Sequence, residues 1–222
     1  MNYVLLNQGT PESKAAAVYL NRLLEDGDEI HSLFLDFGLP NRDAALLAAQ
    51  RIAEEFCTTH GVMFAQMIVD GIDVTPLYFD KYSTEYISAA FVSDEAKHGD
   101  TLTRLIQYPY YIPKTIMECF AYARTVAKAA KVVMVHGRND PKWYADMAKL
   151  FNEPPPPNQP YEPIELLLPF HGMDLRDTLE SLGLTAADVA DTVFCAESPP
   201  CGNCTRCMKK EELFDADDTT AT

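Results

Sequence analysis

Four cysteines lie close together near the end of the chain: Cys195, Cys201, Cys204 and Cys207. Their spacing is C-x5-C-x2-C-x2-C, and Gly202 permits the tight backbone turn that brings neighbouring thiolates to one point. Four sulfurs at about 2.3 Å would complete a tetrahedral zinc shell and leave no position for water. The spacing therefore predicts a structural Zn²⁺ site that holds the C-terminal segment onto the domain, and places catalysis elsewhere.

Two alternatives stay open for this cluster. A pair of disulfides is the first, although no signal peptide precedes the opening MNYVLLNQG and a reducing cytoplasm favours metal binding. An iron–sulfur cluster is the second, because thiolates alone do not select the metal. The remaining cysteines, Cys57 and Cys119, fall in apolar helical patterns and are predicted to be core residues.

The net charge of the chain limits the kinds of ligand that it can be expected to bind. The chain has 18 Lys and Arg against 33 Asp and Glu, a net charge of −15, whereas a protein that grips a phosphodiester backbone needs clustered cations. Direct binding to nucleic acid is therefore not expected, while a small-molecule pocket needs only a few local donors. Since no run of 18 apolar residues occurs, we expect no membrane span and a cytoplasmic location. The oligomeric state is open, a homodimer included.

Hydrophobic periodicity predicts alternating strands and helices. Strands are predicted at 3–6, 29–36, 62–69, 132–135 and 164–168, with a last short strand before the cysteines. Helices are predicted at 13–25, at 115–131, and from an N-cap at Asp174 to Gly183. A further helix is predicted after an N-cap at Asp43, with a buried face formed by Ala44, Leu47, Ala48 and Ile52. This order predicts an α/β fold, a Rossmann-like, mainly parallel sheet with helices on both faces.

The predicted domain spans residues 1–211, includes the knuckle at 195–207, and is followed by a disordered acidic tail at 212–222. Segment 71–111 is too long for an ordinary connection, and 153–160 is a polyproline spacer. Ligands of such sheets bind beyond the carboxyl ends of the strands. The loops at 7–13, 36–42 and 136–140 are therefore the candidate ligand loops.

The colinear order of these motifs resembles the 7-cyano-7-deazaguanine synthase family, within the adenine-nucleotide alpha-hydrolase (PP-loop ATP pyrophosphatase) superfamily. The motifs are a VLL strand that opens into a glycine-bearing loop, DFG, YIP before a long helix, HGRND, and CG-x-C-x-x-C, and they span about residues 3–210. The resemblance implies queuosine-type deazapurine metabolism. ATP with Mg²⁺ would activate the carboxylate of 7-carboxy-7-deazaguanine, ammonia would give the amide, and a second activation would give the nitrile.

The resemblance also implies site residues. The neighbours of ATP and Mg²⁺ would be Gly9, Glu12, Ser13, Asp36, Gly38 and Asp140. Lys114 and Arg138 are candidate anion contacts, because both lie in predicted loops beside the sheet. His136 is either an acid–base group or a structural residue at a strand end.

This chain departs from the family pattern in those loops. The family's SGGxDS is here NQGTPES, one residue longer, so that Thr10 adds a Cβ and Pro11 removes an N–H donor, unless Pro11 serves as the first residue of the helix. Loss of one donor of this kind can cost about 3 kcal/mol of transition-state stabilisation. The family's VPGRN is here IPKTI, and a lysine does not replace a guanidinium fork.

Two functional hypotheses follow. The first is a ligase of this family that activates a carboxylate with ATP. The second is a non-catalytic protein on the same fold that binds a nucleotide, a deazapurine or a protein partner. The missing glycine and the lost Arg-Asn pair favour the second, whereas the near full-length colinearity favours some retained ligand site.

Overall fold

Five parallel strands form one sheet in a computed structural model that describes residues 1–56, 61–69, 111–135, 141–153, 162–195 and 198–219. The strand order is β3-β2-β1-β4-β5. The strands are β1 (Asn2–Leu6), β2 (Glu29–Asp36), β3 (Gly61–Ile68), β4 (Lys131–Val133) and β5 (Glu165–Leu167). The order of the strands reverses between β1 and β4, which is the place where open α/β sheets bind ligands at their carboxyl ends.

Helices cover both faces of this sheet, as predicted. They are α1 (Pro11–Leu23), α2 (Arg42–Phe56), α3 (Tyr111–Tyr122) with a π-helical extension (Ala123–Ala127), α4 (Pro141–Asn152), α5 (Leu175–Ser181), a 3-10 turn (Ala187–Val189) and α6 (Thr205–Thr219). Alternate residues of β1 point to opposite faces. Val4 packs in the cluster that contains Phe120 of α3, and Leu5 packs with Leu20 of α1. The sequence prediction of an α/β fold is therefore confirmed.

A histidine lies inside the sheet layer on the α3 side. His31 of β2 is 5% exposed, and its Nδ1 lies 3.3 Å from the hydroxyl oxygen of Tyr122. Burial lowers the pKa of His31, against a smaller opposing effect of the Glu29 carboxylate. Burial also raises the pKa of the Tyr122 phenol. The pair is therefore neutral in the folded protein at neutral pH.

The start of α2 differs from the prediction. The helix begins at Arg42, so Asp43 lies in its first turn instead of capping it. Ala45 and Ala49 are buried, whereas Ala44 and Leu47 are exposed. The predicted buried face is therefore confirmed for Ala48 and Ile52 and wrong for Ala44 and Leu47, because an alanine-rich helix has few large side chains to define its phase.

Other boundaries also shift. Helix α3 begins at Tyr111, which places Lys114 inside a helix instead of in the predicted loop, and the chain leaves the helical region at Lys128 with φ 50°. The short strand predicted just before Cys195 is absent from the described segment between α5 and Cys195, which contains the 3-10 turn. Asp174 does cap α5, because its side chain accepts a hydrogen bond from the Asp177 N–H at 2.8 Å.

Helix α6 continues to Thr219, into the segment predicted to be a disordered tail. Leu213 is buried there, and Phe214 packs against it and Phe194 in the same core cluster. These two apolar side chains attach α6 to the domain beyond position 212.

Several predictions lie outside the described residues. They are the candidate site residues Arg138 and Asp140, the candidate acid–base group His136, the core prediction for Cys57, the insertion after 70, and the polyproline spacer from 154 on. In the described parts of the chain, no helix combines the length and apolar character that crossing a membrane requires.

Candidate metal centre and the neighbouring sheet edge

The four cysteines of the knuckle converge on one point. The Sγ atoms of Cys195, Cys201, Cys204 and Cys207 all lie within 4.8 Å of one another. The Sγ of Cys195 lies 3.6 Å from that of Cys201 and 3.9 Å from that of Cys204. Sulfurs held about 2.3 Å from a central ion at tetrahedral angles lie about 3.8 Å apart. The spacing of the sulfurs therefore fits a single four-coordinate metal ion.

Burial and protonation also fit a metal. None of the four cysteines is in a disulfide, and a separation of 3.6 Å is far beyond the S–S bond length of about 2.0 Å. Burial raises the pKa of the Cys207 thiol to about 12 and also raises that of Cys201. Without a cation the Cys201 and Cys207 thiols would therefore stay protonated, whereas a bound cation stabilises thiolates. The donor set is suited to a soft or borderline metal ion.

Local structure brings the cysteines together from two elements. Cys195 follows the 3-10 turn, and the backbone N–H of Cys201 donates to the Sγ of Cys195 at 3.4 Å. Cys204 immediately precedes α6, and Cys207 lies in the first turn of that helix. A metal bound here would therefore tie the segment after the 3-10 turn to α6.

The loop after β1 comprises residues 7–10 and is organised by Asn7. This side chain is fully buried, and its Nδ2 donates to Ser32 Oγ at 2.9 Å and to the Ala49 carbonyl at 2.8 Å. Its Oδ1 accepts a hydrogen bond from the backbone N–H of Gly9 at 3.1 Å. The loop is therefore fixed both to β2 and to α2.

Gly9 is required by packing at this point. Its φ is +69°, and a Cβ built on it would lie 2.2 Å from the carbonyl oxygen of Ala45 and 3.0 Å from the amide nitrogen of Ala49. Any other residue would combine a left-handed backbone with a clash against α2. The glycine that the sequence assigned to phosphate binding thus has a structural explanation in this fold.

At the start of α1, the backbone N–H groups of Gln8 and Ser13 donate to side chains of the same segment. Thr10 is the N-cap, Pro11 occupies the start of the helix, and the Thr10 Oγ1 accepts from the Ser13 N–H at 3.3 Å. The Ser13 Oγ in turn accepts from the Gln8 N–H at 3.0 Å. The interpretation of Pro11 as a first-turn residue is confirmed. Since Glu12 adds a negative charge to that turn, the loop presents a poor cradle for a phosphate.

The loop after β2 is closed around Asp36. This carboxylate is 5% exposed and accepts from Arg42 Nε at 2.7 Å, from Gln66 Nε2 at 3.1 Å and from the Gly38 N–H at 2.9 Å. Gly38 has φ +69°, and no atom lies within 4 Å of the Cβ position. Asp36 therefore supports the turn, and Arg42 compensates its charge.

Two further buried side chains were missed by the sequence analysis. The Nζ of Lys14 lies 3.2 Å from Glu55 and 3.6 Å from Asp191, so this lysine connects α1 to α2 and to the segment before the knuckle. Asn41 is buried just before α2, and its Nδ2 donates to the carbonyl oxygen of Cys195 at 2.8 Å. Neither residue belongs to a recognisable motif, so only the fold reveals its contacts. Lys114 pairs with Glu118 at 3.8 Å along α3.

No protein-family model matches this chain, and no curated protein matches it either.

Proposed function

We propose that this protein is a divergent member of the 7-cyano-7-deazaguanine synthase family that binds a deazapurine or a nucleotide, with little or no ATP turnover. The observation that carries the proposal is the arrangement of three motifs. The loops after β1 and β2 lie at the carboxyl edge of a parallel sheet, and the cysteine knuckle is hydrogen-bonded to both through Val193–Gly9 and Asn41–Cys195. The resemblance assigns these same loops to nucleotide binding.

The same proposal includes zinc at the knuckle. Four Sγ atoms within 4.8 Å suit one ion, whereas a cluster with several irons holds its thiolates around a larger body. Among single ions, Zn²⁺ is the usual occupant of a closed four-thiolate tetrahedron. Bound zinc would supply only structural stabilisation here, because four protein ligands leave no position for a substrate.

Impaired turnover is proposed from the hydrogen bonds of the loop after β1. The N–H groups of Gln8, Gly9 and Ser13 already donate to protein acceptors, and Pro11 has none. A transferring phosphoryl group needs such donors free and directed at it. Arg42 is paired with Asp36 and would have to leave it to contact an anion. These contacts favour a binding protein over an active ligase.

Calorimetry on the zinc-loaded protein tests this proposal. ATP with Mg²⁺ is titrated with and without 7-carboxy-7-deazaguanine, and the base is also titrated alone. Binding of the base without AMP release supports the proposal. ATP binding that strengthens with the acid and is followed by AMP release would show an active ligase. Absence of binding for all ligands would refute a retained ligand site, and metal analysis of the same sample separates zinc from iron.

A further inference from the structure

The knuckle and the loop after β1 belong to one closed set of contacts. The Val193 N–H donates to the Gly9 carbonyl at 2.8 Å, and two residues later the Cys195 carbonyl accepts from Asn41 Nδ2 at 2.8 Å. The Asn41 carbonyl accepts from the Ala45 N–H at 2.9 Å. The Ala45 carbonyl in turn lies against the Cα of Gly9, where even a methyl group would not fit. These contacts therefore form a closed circuit that begins and ends at Gly9, in the loop after β1.

The buried position of these groups makes the circuit stiff. Asn41 is 9% exposed, Cys195 3% and Ala45 6%. A buried donor or acceptor that loses its partner is costly, and close-packed groups transmit a displacement instead of absorbing it. Residues 193–195 belong to no helix or strand, so their position depends on the packing of Val193 and Phe194 in the core, on these hydrogen bonds and on the sulfur of Cys195.

We infer that the metal at the four cysteines positions the loop after β1, and that Asn41 is the positioning residue that couples the two sites. An ion that fixes the thiolate of Cys195 fixes its carbonyl, and with it the Asn41 and Val193 bonds. Metal binding then favours the loop conformation described above. The consequence for an organic ligand rests on the proposed function: a ligand of that loop and the metal strengthen each other by the same factor, typically about 5-fold to 150-fold.

The test uses Asn41→Ala in the full-length zinc-loaded protein, with Asn2→Ala as its matched control. The Nδ2 of Asn2 also donates one 2.8 Å bond to a distant carbonyl, that of Ala127, but at the opposite end of β1. Zinc affinity is measured by competition with a chelator. Hydrogen exchange of the backbone amides is measured over residues 7–13, over the Val193 region and over β2.

We expect Asn41→Ala to weaken zinc binding about fivefold, the equivalent of one hydrogen bond, and to speed exchange in residues 7–13 about tenfold. Asn2→Ala should leave both unchanged. Removal of zinc from the wild-type protein should speed exchange at 7–13 while β2 stays protected; if chelation unfolds the whole domain, the zinc-loaded Asn41→Ala protein still gives the answer. Wild-type zinc affinity together with wild-type exchange at 7–13 in Asn41→Ala would overturn the inference. Neither readout uses an organic ligand, so failure to bind ATP or a deazapurine would reject the proposed function alone.

Discussion

The knuckle and the loop after β1 use their polar groups in opposite ways. In the knuckle, four sulfurs face one another within 4.8 Å, a separation that suits one metal ion held between them. In the loop, by contrast, the backbone N–H groups of Gln8, Gly9 and Ser13 already donate to protein acceptors, and the buried Gln8 Nε2 is the one side-chain donor there that has no partner among the described residues. A site that needs its ligand keeps unsatisfied groups, whereas a loop that has satisfied them gains rigidity at the expense of binding an anion.

Loss of a sulfur from the knuckle should have the largest effect. Cys204 is 1% exposed, and Cys204→Ser should abolish stoichiometric metal binding and reduce the free energy of unfolding by about 5 kcal/mol or more. Metal content and thermal unfolding measure this. Cys119→Ser is the matched control, because Cys119 is equally buried but packs in the core under the sheet. Equal metal content in the two variants would contradict the assignment of the site.

Two glycines with the same backbone angle separate packing from backbone strain in the loops. Gly9 and Gly38 both have φ +69°, but only Gly9 has α2 against its Cβ position. Gly38→Ala should cost about 1 kcal/mol, from the left-handed backbone alone. Gly9→Ala should cost about 3–4 kcal/mol, because overpacking against Ala45 is added. Chemical denaturation measures both, and equal losses would show that the loop moves away from α2 at little cost.

The sequence predicted those elements of the fold in which apolar residues or cysteines follow a recognisable spacing. The strands β1 and β2 appear in the sequence as apolar runs, and the spacing of the four cysteines alone predicts the knuckle. Asn7 and Asn41 could not be predicted, since each is a single amide whose Nδ2 donates to partners at least 25 residues away along the chain. Gly9 was predicted for a different reason than the one the structure gives, because sequence cannot distinguish close approach to a phosphate from close approach to a helix.

The buried histidine in the sheet gives a pH dependence that belongs to neither region. Because burial lowers the pKa of His31 in the folded state, the unfolded chain binds more protons as the pH falls through its ordinary value of about 6.5. The contribution of neutral His31 to the free energy of unfolding should therefore be fully present above about pH 7.5, and it should decrease as the pH falls through about 6.5. Denaturation at several pH values, with metal content followed in parallel, measures this.

Two variants of that pair identify the source of the pH dependence. His31→Gln should flatten it, because the titrating ring is gone. Tyr122→Phe should retain it, because desolvation of the ring, not the phenol contact, is the main cause of the lowered pKa. If His31→Gln follows the wild-type curve, the acid sensitivity arises elsewhere, with protonation of the metal-bound thiolates as the obvious source.

The variant with the smallest expected change in stability tests whether backbone donors in the loop after β1 can be freed for a ligand. The double variant Thr10→Gly, Pro11→Ala removes the cap from the Ser13 N–H and restores an amide donor at position 11. It should cost only about 0.5 kcal/mol of stability, because glycine at an N-cap position loses only a few tenths of a kcal/mol relative to threonine. Asp174→Gly, which removes the side-chain cap of a different helix, α5, is the matched control for that cost. If the internal bonds of the loop are what suppress nucleotide binding, ATP affinity should rise in the double variant and stay at the wild-type value in Asp174→Gly. An unchanged ATP affinity in both would place the deficit in Glu12 and in the Asp36–Arg42 pair, whose charges the double variant leaves in place.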